Sequence, residues 1–483
     1  MKRILACVLA VLMLVGMAAC GDKPATTPAT GDTTPATTPA TTPATIDPND
    51  PLAKAGLPAM DFEGRMFTII DGDNILAGNI EDSNLNIEKA NMWLYLADRF
   101  NCEFDVVPSD HTIFETAGPV LMTGDPWADI VENKGWVSGY FVQAGYCKDM
   151  NQLDYLDFSK DYWIQSTVKE GNFKGKQLLV SGAYGMPQQL AWGMFFNKTL
   201  AAELEIPDLY QMVRDGKWTI EKFTEYARKA TFDSNGDNVM NELDTYGWAG
   251  PRGDVDYAFA MGLDVKTYKE DADGNIVLAI GDYAEQANAL KNVLNSTTIA
   301  IGNWVDYYKV FFPENRLLFA PYPPIGAINF WSEMEDFGFI PMPKWNEQQE
   351  GYYAYMDHHL PTTFIPLTAE DANESAFMME AMACYAQAVV EPTWLSDYET
   401  TYLRDEESFE MLKDYWMPGL TAYPVMTYMG MAEPNTALAL VVLRDTIISE
   451  NDFGAMYESY GTLAQIGVDT VYDQSVAEEI PVA

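Results

Sequence analysis

The stretch Met66-Phe-Thr-Ile-Ile-Asp-Gly-Asp-Asn74 sets a short apolar, partly β-branched run directly ahead of a turn built from Asp71, Gly72, Asp73 and Asn74. Such a run, closed by Asp, Gly and Asn, reads as a buried strand entering a loop. A helix follows it. Ile87, Ala90, Leu94, Ala97 and Phe100 recur at three- and four-residue steps and predict one buried face. Phe104 to Val107 then reads as a second strand and Trp127 to Glu132 as a third. Strand, helix, strand predicts a parallel sheet of α/β type, in which ligands bind beyond the carboxyl ends of the strands.

The rhythm continues outward from this unit. Gln177 to Val180, Leu190 to Phe196, Leu317 to Ala320 and Phe337 to Ile340 are strand-like. Thr219 to Ala230 and Glu370 to Val390 are helix-like, and Thr368-Ala-Glu-Asp371 fits a capping box ahead of the latter. Asp271-Ala-Asp-Gly-Asn275 reads as a hairpin turn entering a strand over Ile276 to Ile280. No repeat of solenoid length is visible.

Of 483 residues, 29 are Lys or Arg and 71 are Asp or Glu, a formal net charge of −42. A chain so acidic lacks the basic patch that phosphate backbones require, so nucleic acid is not its partner. The length admits two or three domains with a sizeable core. Three His in the whole chain argue against a His-built metal site or a His-dependent triad.

The amino terminus carries Lys2 and Arg3, then the apolar run Ile4 to Val15, then Gly16, Ala18 and Ala19 before Cys20. The run is too short to span a bilayer and fits a secretory signal peptide over 1–19. Its end resembles a bacterial lipobox, whose Cys becomes the lipidated, palmitate-bearing first residue. The alternative is ordinary cleavage beside an incidental Cys. Residues 20–58 are rich in Thr, Pro and Ala, with Thr-Thr-Pro-Ala-Thr repeated between Thr26 and Thr45, and read as an extended tether. Cys102, Cys147 and Cys384 form no C-x-x-C pair and read as buried structural thiols.

Asp233-Ser-Asn-Gly-Asp-Asn-Val-Met-Asn-Glu-Leu-Asp244 is the sharpest local pattern. Oxygen side chains at Asp233, Asn235, Asp237, Asn241 and Asp244, with the Val239 carbonyl between them, match the spacing by which one tight loop surrounds a calcium ion. The loop resembles the EF-hand loop, and more closely its dockerin-type variant. It departs at Asn238, where Gly is usual; Asn tolerates the left-handed backbone required there. The alternative is a solvated acidic loop.

Enzymatic signatures such as G-x-S-x-G, H-E-x-x-H, a Walker loop and the Rossmann fingerprint are missing. His358 and His359 are adjacent, so in a strand they point to opposite faces and on a helix they diverge, which favours structural or ligand-contacting roles over a metal pair. Aromatic residues are abundant, with 12 Trp, 27 Tyr and 23 Phe. Sugar rings stack apolar C–H faces on aromatic planes while their hydroxyls need polar partners, so an aromatic-lined polar cleft suits carbohydrate. Trp93, Trp163 and Trp218 read as packing residues. Trp127, Trp304, Trp345 and Tyr353 lie near turns, as do Trp136, Trp192, Tyr322 and Trp331. From the loops that follow the strands, Asp73, Asn74, Trp136 and Tyr322 are candidate ligand contacts, joined by Trp192 near the expected crossing between lobes, with Trp331 as a further candidate that could instead pack a helix.

The succession Asp149 to Trp163, Phe196-Asn-Lys-Thr-Leu200, Gly216-Lys-Trp-Thr219, Asp244-Thr-Tyr-Gly247, Phe337-Gly-Phe-Ile-Pro-Met-Pro-Lys344 and Arg404-Asp-Glu-Glu-Ser408 resembles the family 1 extracellular solute-binding proteins, lipoprotein receptors of carbohydrate ABC importers. The resemblance is most specific from Phe196 to Gly247 and fades over the last seventy or so residues. It implies a two-lobed α/β clamp with a cleft between discontinuous lobes: 61–183 with 352–397, and 184–351 with 398–483. It also implies a monomer at the outer face of the cell membrane, held by a lipid anchor alone, with no catalytic residue. Such a receptor delivers a sugar or oligosaccharide to importer membrane subunits. A peptide or other non-sugar solute, or a surface glycan-processing enzyme, are the alternative readings.

Overall fold

Eight strands build two four-stranded sheets: β1 (Arg65–Gly72), β2 (Cys102–Ser109), β3 (Ile130–Lys134), β4 (Gly193–Phe196), β5 (Tyr246–Trp248), β6 (Leu317–Tyr322), β7 (Gly338–Ile340) and β8 (Pro361–Phe364). The computed structural model describes residues 49–72, 74–77, 83–173, 175–272, 275–298, 305–422, 438–449 and 451–474. The signal segment, Cys20, most of the tether, Asp73 and Trp304 lie outside them.

The first sheet has the order β8-β3-β1-β2. β1 runs parallel to β2 from Arg65↔Cys102 to Gly72↔Ser109, and parallel to β3 through Asp71↔Glu132. β8 lies antiparallel on β3. The second sheet has the order β7-β4-β6-β5, with β4 antiparallel to both β6 and β7 and only β5 parallel to β6. The sheets are therefore mixed, where the sequence rhythm suggested parallel ones. The cause is connectivity: β8 enters the first sheet from the side of the second, at the carboxyl ends of β1 and β3, and can pair there only in the opposite sense.

Helix α1 (Asn84–Phe100) starts where the Ser83 side chain accepts a hydrogen bond from the Asn86 N–H at 3.2 Å, and stops at Asn101 in the left-handed region. Its buried face is Lys89, Met92, Leu96 and Phe100. Leu94, expected inside, is 67% exposed. Two apolar stripes of helical spacing exist on α1, and docking on the sheet selects the one carrying Met92 and Leu96. Lys89 is accommodated because its ammonium donates to the Ile75 carbonyl at 2.6 Å while its stem is buried. Helix α2 (Gly135–Gln143) follows β3 directly, and α3 (Ile220–Lys229) matches its expected span within a residue at each end. Helix α4 (Asp254–Gly262) precedes a hairpin joining Tyr268–Glu270 to Ile276–Leu278, as expected of Asp271 to Asn275. Helix α5 (Ala372–Tyr385) is capped by Asp371, whose carboxylate accepts from the Asn373 and Glu374 N–H groups, so the cap sits at the end of the expected box.

Two stretches, 180–192 and 354–363, pass between the sheets side by side. Antiparallel bridges Val180↔Thr363 and Ala191↔Met356 join them, and Ala354–Tyr355 also pairs with Leu420–Thr421. Six Trp are almost fully buried: Trp163, Trp218, Trp248, Trp331, Trp394 and Trp416. The phenyl rings of the second sheet need glycine opposite them. A Cβ on Gly193 would lie 2.3 Å from the Phe339 ring, and one on Gly338 2.1 Å from that of Phe196. Cys102, Cys147 and Cys384 are buried free thiols. Among the described residues no helix is long and apolar enough to cross a membrane.

Candidate functional site

The crossing stretches bring the ends of both sheets together around Asp357. The chain leaves Tyr355 and turns at 357–360, where the Asp357 carboxylate accepts from the His359 N–H at 2.7 Å, an Asp-initiated turn. That turn overrides the strand alternation expected of the two His. Their rings lie 4.0 Å apart instead of on opposite faces. The His359 Nδ1 is 3.2 Å from the Asp357 Oδ1.

Trp136, at the start of α2, donates its N–H to the His358 carbonyl at 3.3 Å, and its ring stands 6.0 Å from that of His111. Trp192, one residue before β4, donates its N–H to the Tyr355 carbonyl at 2.8 Å and its indole N–H to Asp357 Oδ2 at 3.4 Å. Tyr322 ends β6, half-buried, with its ring 5.6 Å from that of Trp192 in an edge-on arrangement. Three of the candidate contacts thus gather at one junction, Trp136 from the first sheet and Trp192 and Tyr322 from the second.

The other candidates fall differently. Asn74 is exposed on the turn after β1 with a left-handed backbone, φ 58°, and Asp73 lies outside the described residues. Trp331 is not a ligand platform. It is fully buried, its indole N–H donates to the Tyr308 carbonyl at 2.9 Å, and its ring packs 4.5 Å from that of Phe195. Of the two readings that the sequence leaves open for Trp331, packing is the one the structure shows.

Asp357 and Asp254 are the polar residues that sequence reasoning missed. Asp254 opens α4 and faces the same junction; burial, then the nearby Asp357 charge, raises its carboxyl to about 6. Burial also pushes Asp357 up, but the His359 hydrogen bond and the two imidazoles outweigh it and hold that carboxyl below its ordinary value. Burial, then its neighbour His359, lowers His358 to about 4, so its ring is neutral at physiological pH. Burial and the two carboxylates raise the Tyr322 hydroxyl. An Asx turn placed just after a short strand was the available signal for Asp357. Carboxylates that accept, the Tyr322 phenol and the half-buried rings of Trp136 and Tyr322 form a set suited to a polyhydroxylated ligand, with Trp192 buried at 3% exposure and its indole N–H held by Asp357.

The 233–244 loop stands apart from this junction. Its carboxylates turn inward on its own backbone: Asp233 accepts from the Gly236 and Asn238 N–H groups at 2.7 Å each, and Asp237 from Val239 at 2.8 Å. Asp244 accepts from Ser234 at 3.0 Å and Asn241 at 2.8 Å, which brings the two ends of the loop together. Asn238 is left-handed with φ 64°, as its place in the loop requires.

No protein-family model matches the chain, and no curated protein matches it in sequence. Solved structures do match in fold. The sugar-binding protein MalE from Xanthomonas citri has 11% identity and a TM-score of 0.59, covering 84% of this chain and 98% of its own. The cyclic α-maltosyl-1,6-maltose binding protein from Arthrobacter globiformis has 15% identity and a TM-score of 0.55, over 85% and 99%. A family 1 extracellular solute-binding protein from Bifidobacterium longum subsp. infantis has 12% identity and a TM-score of 0.54, over 85% and 99%. The chain has the two-lobed α/β fold of the extracellular solute-binding proteins.

Proposed function

We propose that this chain is a substrate-binding lipoprotein that captures a sugar or oligosaccharide outside the membrane and delivers it to an ABC importer made of other chains. The observation that carries the reading is the junction itself, where Trp192 and Tyr322 stand edge to face beside the buried Asp357. The fold supports it, because solved structures that it resembles are named as a maltosyl-maltose binding protein and a sugar-binding protein. In this reading the lobes are 61–183 with 352–397 and 184–351 with 398–483, and closure bends the chain near 183–186 and 352–357. Cys20 carries the lipid, the tether holds a monomer at the outer face of the membrane, and no bond of the ligand is made or broken. The 233–244 loop holds one calcium ion through Asp233, Asn235, Asp237, Asn241, Asp244 and the Val239 carbonyl. Its inward carboxylates and left-handed Asn238 fit that role. Bound calcium supplies rigidity to the loop and takes no part in sugar capture.

The test is thermal unfolding across a panel of monosaccharides, malto- and galacto-oligosaccharides and short peptides, with calorimetry on each hit. A saturating ligand at one hundred times its dissociation constant stabilises by about 2.7 kcal/mol. Shifts from sugars alone are expected. Shifts from peptides alone would replace the sugar reading, and cleavage of an oligosaccharide during the incubation would make the chain an enzyme.

A further inference from the structure

We propose that Asp357, His358 and His359 form a binding site for a divalent transition-metal cation of the zinc class at the junction between the sheets. The donor atoms of the three side chains all lie within 4.8 Å of one another. The pair whose separation is fixed by direct contact, His359 Nδ1 and Asp357 Oδ1, is 3.2 Å apart. A tetrahedral ion with bonds of about 2.0–2.1 Å holds neighbouring ligand atoms roughly 3.3–3.4 Å apart, so the ion fits between these two with little movement.

The conformation of the segment serves this geometry. Adjacent residues seldom share a ligand, because an extended chain points them apart. Here the Asx turn at Asp357 folds the chain so that the two imidazoles stand 4.0 Å apart at a tilt of 40°. Among the described residues no hydrogen bond engages the His358 ring, so its nitrogens are available. Asp357 is 7% exposed and its carboxylate meets the His359 ring; among the described residues no salt bridge joins it to Lys or Arg. A second carboxyl, that of Asp254, faces the same place. Two carboxyl groups meet here, and the Lys134 ammonium lies near enough to join burial in lowering His358; a metal ion would add to the neutralisation of their negative charge.

The donor set selects the metal. Two imidazole nitrogens and one carboxylate oxygen suit zinc, nickel or copper and are poor for calcium or magnesium, which take oxygen ligands. The Trp192 indole N–H on Asp357 Oδ2 and the His359 backbone N–H on Oδ1 supply the outer hydrogen bonds that orient such a carboxylate, and the remaining lone pair of Oδ1 is the one for the ion. Three protein ligands leave a coordination position open for water or another ligand. The site is thus distinct from the oxygen-only loop at 233–244 and is independent of which solute the junction takes.

The experiment uses zinc alone. The full chain is stripped with chelator, dialysed and titrated with zinc(II) by calorimetry, and cobalt(II) is added separately to read the absorption of a low-symmetry site. About one equivalent is expected in the wild type. His358→Ala with His359→Ala should abolish it, and Asp357→Asn should weaken it by about ten-fold or more. His111→Ala and Asp237→Ala should leave it unchanged. If the alanine pair fails circular dichroism, His358→Gln with His359→Gln, which retains volume, carries the same expectation. A wild type that takes up no zinc, or His variants that titrate like it, would overturn the assignment. Sugar binding that fails in the panel above leaves this result untouched.

Discussion

Trp192 and Trp331 are both large, both near turns and both buried, yet their N–H groups separate their roles. That of Trp192 reaches a carboxylate at the junction, whereas that of Trp331 satisfies a backbone carbonyl inside the second sheet's core. Trp136→Ala, Trp192→Ala and Tyr322→Ala are accordingly expected to cost sugar affinity, with about 2 kcal/mol or more for a central anchor. Trp331→Ala should instead lower stability by about 3–5 kcal/mol, the cost of an emptied core site. Calorimetry paired with denaturant unfolding separates the two, and near wild-type affinity in the first three variants would remove the junction as the sugar site. Glu380 gives a second residue-scale expectation. It is buried, accepts from the Tyr162 hydroxyl, and receives the Trp163 indole N–H at 3.1 Å; burial above all raises its carboxyl from 4.5 to about 7. With the folded value above the unfolded one, the folded state holds the extra proton. This contribution is full below pH 4.5 and lost as pH rises through about 7, at most about 3 kcal/mol. Glu380→Gln mimics the protonated acid. The unfolding midpoint of the wild type should fall against that of the variant between pH 5 and 8, and parallel curves would contradict the assignment.

The 233–244 loop carries the most local pattern in the sequence, because ligand spacing along one loop needs no long-range contact. If it holds calcium as proposed, chelation lowers the melting temperature of the wild type and leaves Asp237→Ala unaffected; equal responses in the two would refute the site. Strands β1, β2 and β6 and helix α3 were legible for a similar reason, since their periodic apolar residues and turn signals are local. Legibility ended where long-range packing decides. The stripe of α1 that faces inward was misread, with Leu94 outside and Met92 inside. The antiparallel sense of β8 depends on where its chain has come from. Asp357 and Asp254 meet across about a hundred residues of sequence, and nothing local in either segment announces the other. The rule that carboxyl-end loops face the cleft singles out Tyr322, and a place near the crossing between lobes singles out Trp192; the structure sets their rings 5.6 Å apart.

At the scale of the molecule, the two sheets are joined by stretches 180–192 and 354–363, paired side by side through single bridges instead of a continuous ladder. Few hydrogen bonds resist bending in such a connection, so rotation of one lobe on the other about 183–186 and 352–357 is the expected motion. A ligand favours closure only through contacts that it makes in the closed state alone. In the proposed function rings from both lobes supply those contacts, Trp136 from one and Trp192 with Tyr322 from the other. The most direct measurement is small-angle scattering on the chain with and without a saturating sugar identified in the panel. A smaller radius of gyration in the presence of sugar, reversed by Trp192→Ala at the same sugar concentration, is the expected result; an unchanged radius at full occupancy would contradict capture by a closing clamp.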